Sequence, residues 1–275
     1  MCSSDLGLNR RTVLWSLLGG GGALIVGWSG LPPRSRLGDG AWLSTDDGTL
    51  GLNGWVAIAP DGGVRLAMPW AEMGQGVHAA LALLVAEELS VRPEQVKTVA
   101  APPEKVYGNV AVLVDGLPLH PRETEPGHET TTARLGRWMV RKLARELGLV
   151  ITGGSSTIAD SWDALRLAAA TARAQLLGAA SMQWKLPVAE LQVEDGVVRH
   201  PGSGQQAGYA ALAAAAQGMP PAELRLRPRA EWRWLGRPQP RPDQCLRHGW
   251  GLRRSDATDL EIGPVGDLDD AASVA

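Results

Sequence analysis

The sequence predicts an α+β fold in which short hairpins pack with helices, and three observations carry that expectation. Two β-patterned runs, residues 52–58 and 64–68, flank the turn Pro60-Asp61-Gly62-Gly63. Two glycine loops, Gly74-Gln75-Gly76 and Thr152-Gly153-Gly154-Ser155-Ser156-Thr157, each lead into a helix-forming stretch. A second hairpin, residues 191–193 and 197–199, turns at Glu194-Asp195-Gly196, where Asp-Gly supplies the positive φ of a tight turn.

The chain has 275 residues, enough for one or two domains with a proper core. It begins with the paired arginines of Asn9-Arg10-Arg11-Thr12-Val13-Leu14, followed by an uncharged run to Pro33 that contains four consecutive glycines. This order is that of a twin-arginine export signal, with a membrane tether as the other reading, and it predicts a periplasmic location or the periplasmic face of the inner membrane. Residues 1–36 are taken as this segment and 37–50 as a linker rich in Gly, Asp and Ser. The fold is expected over 51–243.

The first hairpin delivers the chain into PWAEMGQGVHAALALLVAEEL, residues 69–89, around which the rest is organised. After Gly76, Val77, Leu81, Leu84, Val85 and Leu89 recur at intervals of three and four, so an amphipathic helix is expected, closed by Glu87 and Glu88 as its polar end. Backbone N–H groups at a helix start lack intrahelical partners and suit a phosphate or another electron-rich ligand. Gly74 and Gly76 let the backbone come close, and Gln75 offers both an acceptor and donors.

Residues 96–100 make a third strand bounded by Pro93 and Pro102. Residues 107–129 read as irregular, and His120 and His128 within them as solvated loop histidines rather than a metal site; no metal ligand set is predicted anywhere. Residues 134–147 form a basic amphipathic helix. Leu135, Trp138, Met139 and Leu143 share one side, and Arg137, Arg141, Lys142 and Arg145 are its solvated face. A short apolar strand at 149–151 then enters the second glycine loop. The alanine-rich residues 161–184 follow as a long helix capped by Asp160 or Ser161. Residues 209–216 are a short helix ended by Gly218 and Pro220. Residues 244–275 show no sustained period and read as a disordered tail foreign to the fold.

Several function classes fall away. The net charge of −2 provides no field for nucleic acid. Two cysteines, Cys2 and Cys245, cannot hold an iron–sulfur cluster. Gly74-Gln75-Gly76-Val77-His78-Ala79 matches GxGxxG/A in form, but Pro69 and Glu72 interrupt the strand that a dinucleotide fold requires. The second loop lacks the lysine of a P-loop, and no GxSxG elbow surrounds its serines.

The segments LNGWVAIAPDGGVRLAMP, AEMGQGVHAALALLVAEEL and VITGGSSTIADSW, with the twin-arginine start, closely resemble the N-terminal part of the large, molybdopterin-binding subunit of molybdenum hydroxylases. This is the xanthine dehydrogenase and aldehyde oxidase superfamily, in its isoquinoline 1-oxidoreductase beta-subunit or aldehyde dehydrogenase branch. The likeness runs from Asn9 to about Asp243. It implies that Gly74, Gln75 and Gly76 contact the pterin end of a molybdopterin dinucleotide, in its cytosine form, and that Thr152, Gly153, Gly154, Ser155 and Thr157 cradle pterin or diphosphate. It also implies hydroxylation of aldehydes or N-heterocycles, with electrons leaving through a separate [2Fe-2S] small subunit. The family's general-base glutamate lies near the far end of a much longer subunit, so no catalytic residue is assigned here; Glu72 is expected to serve the helix start or the loop. The reading is thus a fragment contributing cofactor contacts and inactive alone, with an exported, non-catalytic accessory domain as the alternative.

Overall fold

The computed structural model describes residues 35–124, 128–221, 224–236, 250–254 and 260–264. The predicted export segment lies outside them, apart from its last two residues. Among the described residues no helix is long and apolar enough to cross a membrane.

The first sheet has the order β1-β2-β3-β4, with β1 at Leu50–Gly51, β2 at Val56–Ile58, β3 at Val64–Met68 and β4 at Val96–Ala100. The predicted hairpin is the antiparallel β2–β3 pair, in register Val56 to Leu66. β3 and β4 run parallel, which requires a crossover, and helix α1 at Val77–Leu89 makes it. The predicted core side of α1, Val77 through Leu89, is buried as expected.

Beyond this come the short helix α2 at Ala111–Asp115, α3 at Thr131–Leu147 and the 29-residue α4 at Ser156–Trp184. A three-stranded antiparallel sheet then joins β5 at Gln192–Glu194, β6 at Val197–Arg199 and β7 at Gln206–Gly208, and α5 follows at Tyr209–Ala216. The α+β class is as the sequence predicted.

α4 is the spine. Alanines such as Ala168, Ala169, Ala172, Ala179 and Ala180 are almost completely buried, because a methyl side chain lets α1 and α5 pack close. The β1–β2 connection is tied to it directly: Asn53 donates from Nδ2 to the Ala168 carbonyl at 2.9 Å, while its Oδ1 accepts from the N–H groups of Trp55 and Val56. Beneath the sheet, Trp55 stacks on Trp70 with ring centroids 5.8 Å apart and meets Tyr107 edge-on at 4.7 Å. Burial pushes the Tyr107 phenol well above its ordinary value, so it remains a donor, and its hydroxyl donates to the Gly54 carbonyl.

Five expectations need correction. α4 begins at Ser156, five residues before the predicted start, so Asp160 and Ser161 lie inside the helix and do not cap it. Residues 149–151 are not a strand; their carbonyls at Leu149 and Ile151 accept instead from Asn109. The irregular stretch after Tyr107 contains α2. Glu87 and Glu88 are not a polar helix end but are fully buried. Their carboxylates hold the segment 225–235: Glu87 accepts from the N–H groups of Arg233, Trp234 and Leu235, and Glu88 from Arg166 Nε at 2.6 Å and the Arg227 N–H at 3.0 Å. Finally, α3 turns its basic and apolar sides otherwise than expected: Ala133, Ala144 and Lys142 are buried, and Leu135, Trp138, Met139 and Leu143 are exposed.

Within residues 244–275, β8 at Trp250–Arg254 pairs antiparallel with β9 at Leu260–Pro264. This ladder is regular structure in a stretch from which none was expected. The rest of that tail lies outside the described residues.

Candidate functional site

The two glycine loops meet. The Ala71 N–H donates to Thr152 Oγ1 at 2.9 Å, across 81 positions of sequence. β3 and the buried Trp70 deliver the first loop to this point, and residues 149–151, fastened to Asn109, deliver the second. Six of the predicted residues, Gly74, Gln75, Gly76, Gly153, Gly154 and Ser155, lie on the exposed or half-exposed loop segments. Thr152 is half-buried at the junction. Thr157 is buried in the first turn of α4, so a ligand on the open side reaches Thr152 to Ser155 first.

The first loop satisfies its own donors. Glu72 Oε1 accepts from the N–H groups of Gly74 and Gly76, both at 2.9 Å, and Oε2 accepts from the His78 N–H at 3.0 Å. A carboxylate therefore already sits on the positive end of α1, where the dipole and the orphan N–H groups favour negative charge. Desolvation pushes the Glu72 carboxyl up, but the His78, Gly76 and Gly74 donors outweigh it and hold the group below its ordinary value. Of the phosphate or other electron-rich ligand expected at this helix start, the phosphate is the one this charge opposes. A second anion there would face Glu72 at close range. The role expected of Glu72, at the helix start or in the loop, matches this geometry.

Gln75 also turns inward. Its Oε1 accepts from the Met73 N–H at 2.5 Å and its Nε2 donates to the Ala71 carbonyl at 3.0 Å. Gly74 and Gly76 have φ of 95° and 75°, a left-handed conformation that explains glycine at both positions. A ring nitrogen of His78 lies 2.8 Å from the Trp70 carbonyl.

The second loop is held from outside. Asn109, almost wholly buried, donates from Nδ2 to the Ile151 carbonyl at 3.0 Å and to Ser156 Oγ at 2.8 Å, and its Oδ1 accepts from the Val112 N–H. Ser156 Oγ donates onward to the Gly153 carbonyl at 2.7 Å. One turn further, Asp160 Oδ1 accepts from the Val110 and Ala111 N–H groups at the start of α2, while Oδ2 pairs with Arg36 at 2.5 Å. Sequence reasoning missed Asn109, Asp160 and Arg36. The partners that tie them to the second loop and to α4 are 42 to 124 positions away, and no local pattern signals that.

Among the glycines of the two loops, Gly153 stands apart. It does not have positive φ, and a Cβ there would meet nothing within 4 Å. Neither strain nor packing within the chain requires glycine, which leaves a backbone face open to close approach from outside. Ser155 is held at φ 55°, a left-handed conformation unusual for a residue with a side chain.

A cavity of about 670 Å³ lies elsewhere, beside β5 to β7, lined by Glu194, Arg199, His200, Arg227 and Arg233 among others and by none of the glycine-loop residues. Its arginines face carboxylates, as Arg233 does Asp195 at 2.7 Å and Arg227 does Glu231 at 3.6 Å. Among the described residues no cluster of three His, Cys, Asp or Glu could hold a metal ion.

Comparison with known proteins finds sequence relatives. Residues 8–109 match the family described as molybdopterin cofactor-binding domain. The chain is 32% identical over 181 residues to the beta chain of isoquinoline 1-oxidoreductase of Brevundimonas diminuta, covering 66% of this chain and 19% of that protein. It is 28% identical over 182 residues to one of the subunits of nicotinate dehydrogenase of Pseudomonas putida, covering 66% and 12%. The chain thus spans a fifth or less of the length of these curated relatives. A solved Cu,Mo carbon monoxide dehydrogenase is similar at 18% identity and a TM-score of 0.36, over 62% of this chain and 17% of that one. On these sequence matches, residues 8–109 carry molybdopterin cofactor-binding domain sequence, and the chain is related to a subunit of isoquinoline 1-oxidoreductase.

Proposed function

We propose that this chain forms one wall of a molybdopterin dinucleotide site, built from Gly74-Gln75-Gly76 on one loop and Thr152 to Ser155 on the other. The observation that carries the reading is the Ala71 to Thr152 hydrogen bond, which joins the two predicted loops into one surface. The open backbone face at Gly153 supports it, because a flat ring system or a diphosphate needs an approach that a side chain would block. The residues fit a polar, planar group better at the first loop, where Glu72 repels a phosphate. They fit a diphosphate better at the second, where Thr152 and Ser155 bring hydroxyls. Swinging Gln75 outward exchanges its two loop hydrogen bonds for ligand contacts.

When bound, the cofactor supplies the two-electron chemistry by which aldehydes or N-heterocycles are hydroxylated. This chain's part is to hold and orient it. The carboxylate nearest the loops is a poor base: Glu72 is occupied by three N–H donors that keep it ionised, so it accepts a substrate proton weakly. The chain alone therefore binds without turnover. In the assembled enzyme a [2Fe-2S] small subunit removes the electrons, the cofactor is the cytosine form, and the assembly works after twin-arginine export.

The test is pterin retention. The full chain is purified from a host that makes the cofactor, and the released pterin is oxidised and measured by fluorescence per mole of protein. Near-stoichiometric pterin in the wild type, lost in Gly153→Val with the melting temperature preserved, supports the reading. No pterin in a folded wild type overturns it, and aldehyde oxidation with an artificial acceptor by the chain alone overturns the assignment of binding without turnover.

A further inference from the structure

α3 presents its apolar side to solvent. Leu135, Trp138, Met139, Leu143 and Leu147 are 42 to 56% exposed, and they recur at intervals of three and four along one face. The buried residues of the helix are Ala133, Lys142 and Ala144 instead, and its neighbours are α2 and the turn at Lys105–Tyr107. A face of five large apolar side chains in water is unfavourable, at about 25 cal/mol for each Å² left uncovered. Something covers it when the protein is in place.

The charge on the same helix identifies the cover. α3 holds five of the chain's 27 Lys and Arg residues, Arg134, Arg137, Arg141, Lys142 and Arg145, and one of its 29 Asp and Glu, Glu146. This concentration of positive charge occurs in a chain whose net charge is −2. On the helix wheel the exposed Arg134 and Arg141 border the apolar face beside Trp138, and Lys142 lies over the Trp138 ring at 5.4 Å, whereas Arg137 pairs with Glu129 at 2.9 Å and Arg145 is half-buried near Arg36 and Asp160. Leu, Met and Trp on one side with arginines along the border is the composition of a helix lying in a lipid interface. There the apolar side enters the acyl boundary, the tryptophan sits at headgroup level, and the guanidinium groups meet phosphates. A protein partner would need a matching acidic rim around an apolar groove. An anionic bilayer offers both properties everywhere. We propose that the exposed face of α3 docks on the surface of an anionic lipid bilayer. The proposal is independent of the cofactor reading.

The test uses the full chain in co-sedimentation with vesicles of phosphatidylcholine alone or with about one third phosphatidylglycerol. The wild type sediments with the anionic vesicles only, and salt releases it. Leu135→Ser/Leu143→Ser lowers the bound fraction about tenfold or more. Arg134→Gln/Arg141→Gln, at exposed positions where folding is not at stake, removes the preference for anionic lipid. Unchanged binding in both pairs overturns the proposal, as does binding that persists in them and disappears only when residues 1–34 are removed. Sedimentation velocity without lipid covers the remaining occupant. A dimer that the leucine variant dissociates, with no lipid binding in the wild type, assigns the face to a second copy and overturns the bilayer.

Discussion

The two glycine loops have similar sequences of small and polar residues and are held in opposite ways. The first is held by itself. Glu72 and Gln75 bind backbone groups no more than six positions away, on exposed chain. The second is held by distant, buried groups: Asn109 under residues 151–156, and Asp160 linking α4 to α2 and Arg36. A loop that is its own scaffold can rearrange at small cost, whereas a loop pinned from outside keeps its shape. The pair therefore divides the work, with the adaptable side chain of Gln75 facing a rigid backbone cradle.

Breaking the rigid side has the largest expected effect. Asp160→Ala leaves the poorly exposed Arg36 guanidinium without its carboxylate and two helix-start N–H groups without their acceptor, and loss of one partner of a buried pair costs about 3–5 kcal/mol. The melting temperature should fall by about 10 °C, read by calorimetry or circular dichroism. Asn109→Ala comes next. It should cost about 2–3 kcal/mol through the unsatisfied Ile151 carbonyl and the lost bond to the Ser156 hydroxyl, and hydrogen exchange should speed up over residues 151–156 while the first loop is unaffected. Equal acceleration in both loops would remove the contrast between them.

Breaking the adaptable side should matter less. Glu72→Gln removes the charge at the start of α1, and with water screening the loss is about 0.5–1 kcal/mol. The pH dependence has a definite sign. Because the folded carboxyl lies below its ordinary value, the contribution is present above that value and is lost as pH falls through the folded one. The stability gap between wild type and Glu72→Gln should thus be open at neutral pH and close in acid. A gap that widens in acid would mean the carboxyl is raised instead. The smallest stability effects, within about 0.5 kcal/mol, are expected for Gln75→Ala and Gly153→Ala, since the first loses only exposed contacts and the second adds a methyl in open space. Both should nonetheless lower pterin retention. Retention equal to wild type in each would detach these residues from the site.

Features set by local chemistry were legible in the chain before any fold was known. The spacing of Val77 to Leu89 marked the core side of α1, Pro60 to Gly63 and Asp195-Gly196 placed the hairpins, and the two glycine motifs were visible as loops before helices. Those features rest on turn geometry and hydrophobic period, which act within a few residues. The orientation of each face, by contrast, was settled by tertiary packing. Glu87 and Glu88 read as a polar end, yet they are buried because the segment 225–235 returns to bring them N–H donors and arginines. The leucines of α3 read as one side of an amphipathic helix with its basic side in solvent, yet it is the leucines that are exposed, because the helix buries Ala133, Lys142 and Ala144 instead. Likewise Asp160 looked like the cap of its own helix and instead caps α2. In each case the deciding partner lies outside the local segment, and a side chain's free energy depends on what is folded against it as much as on what it is.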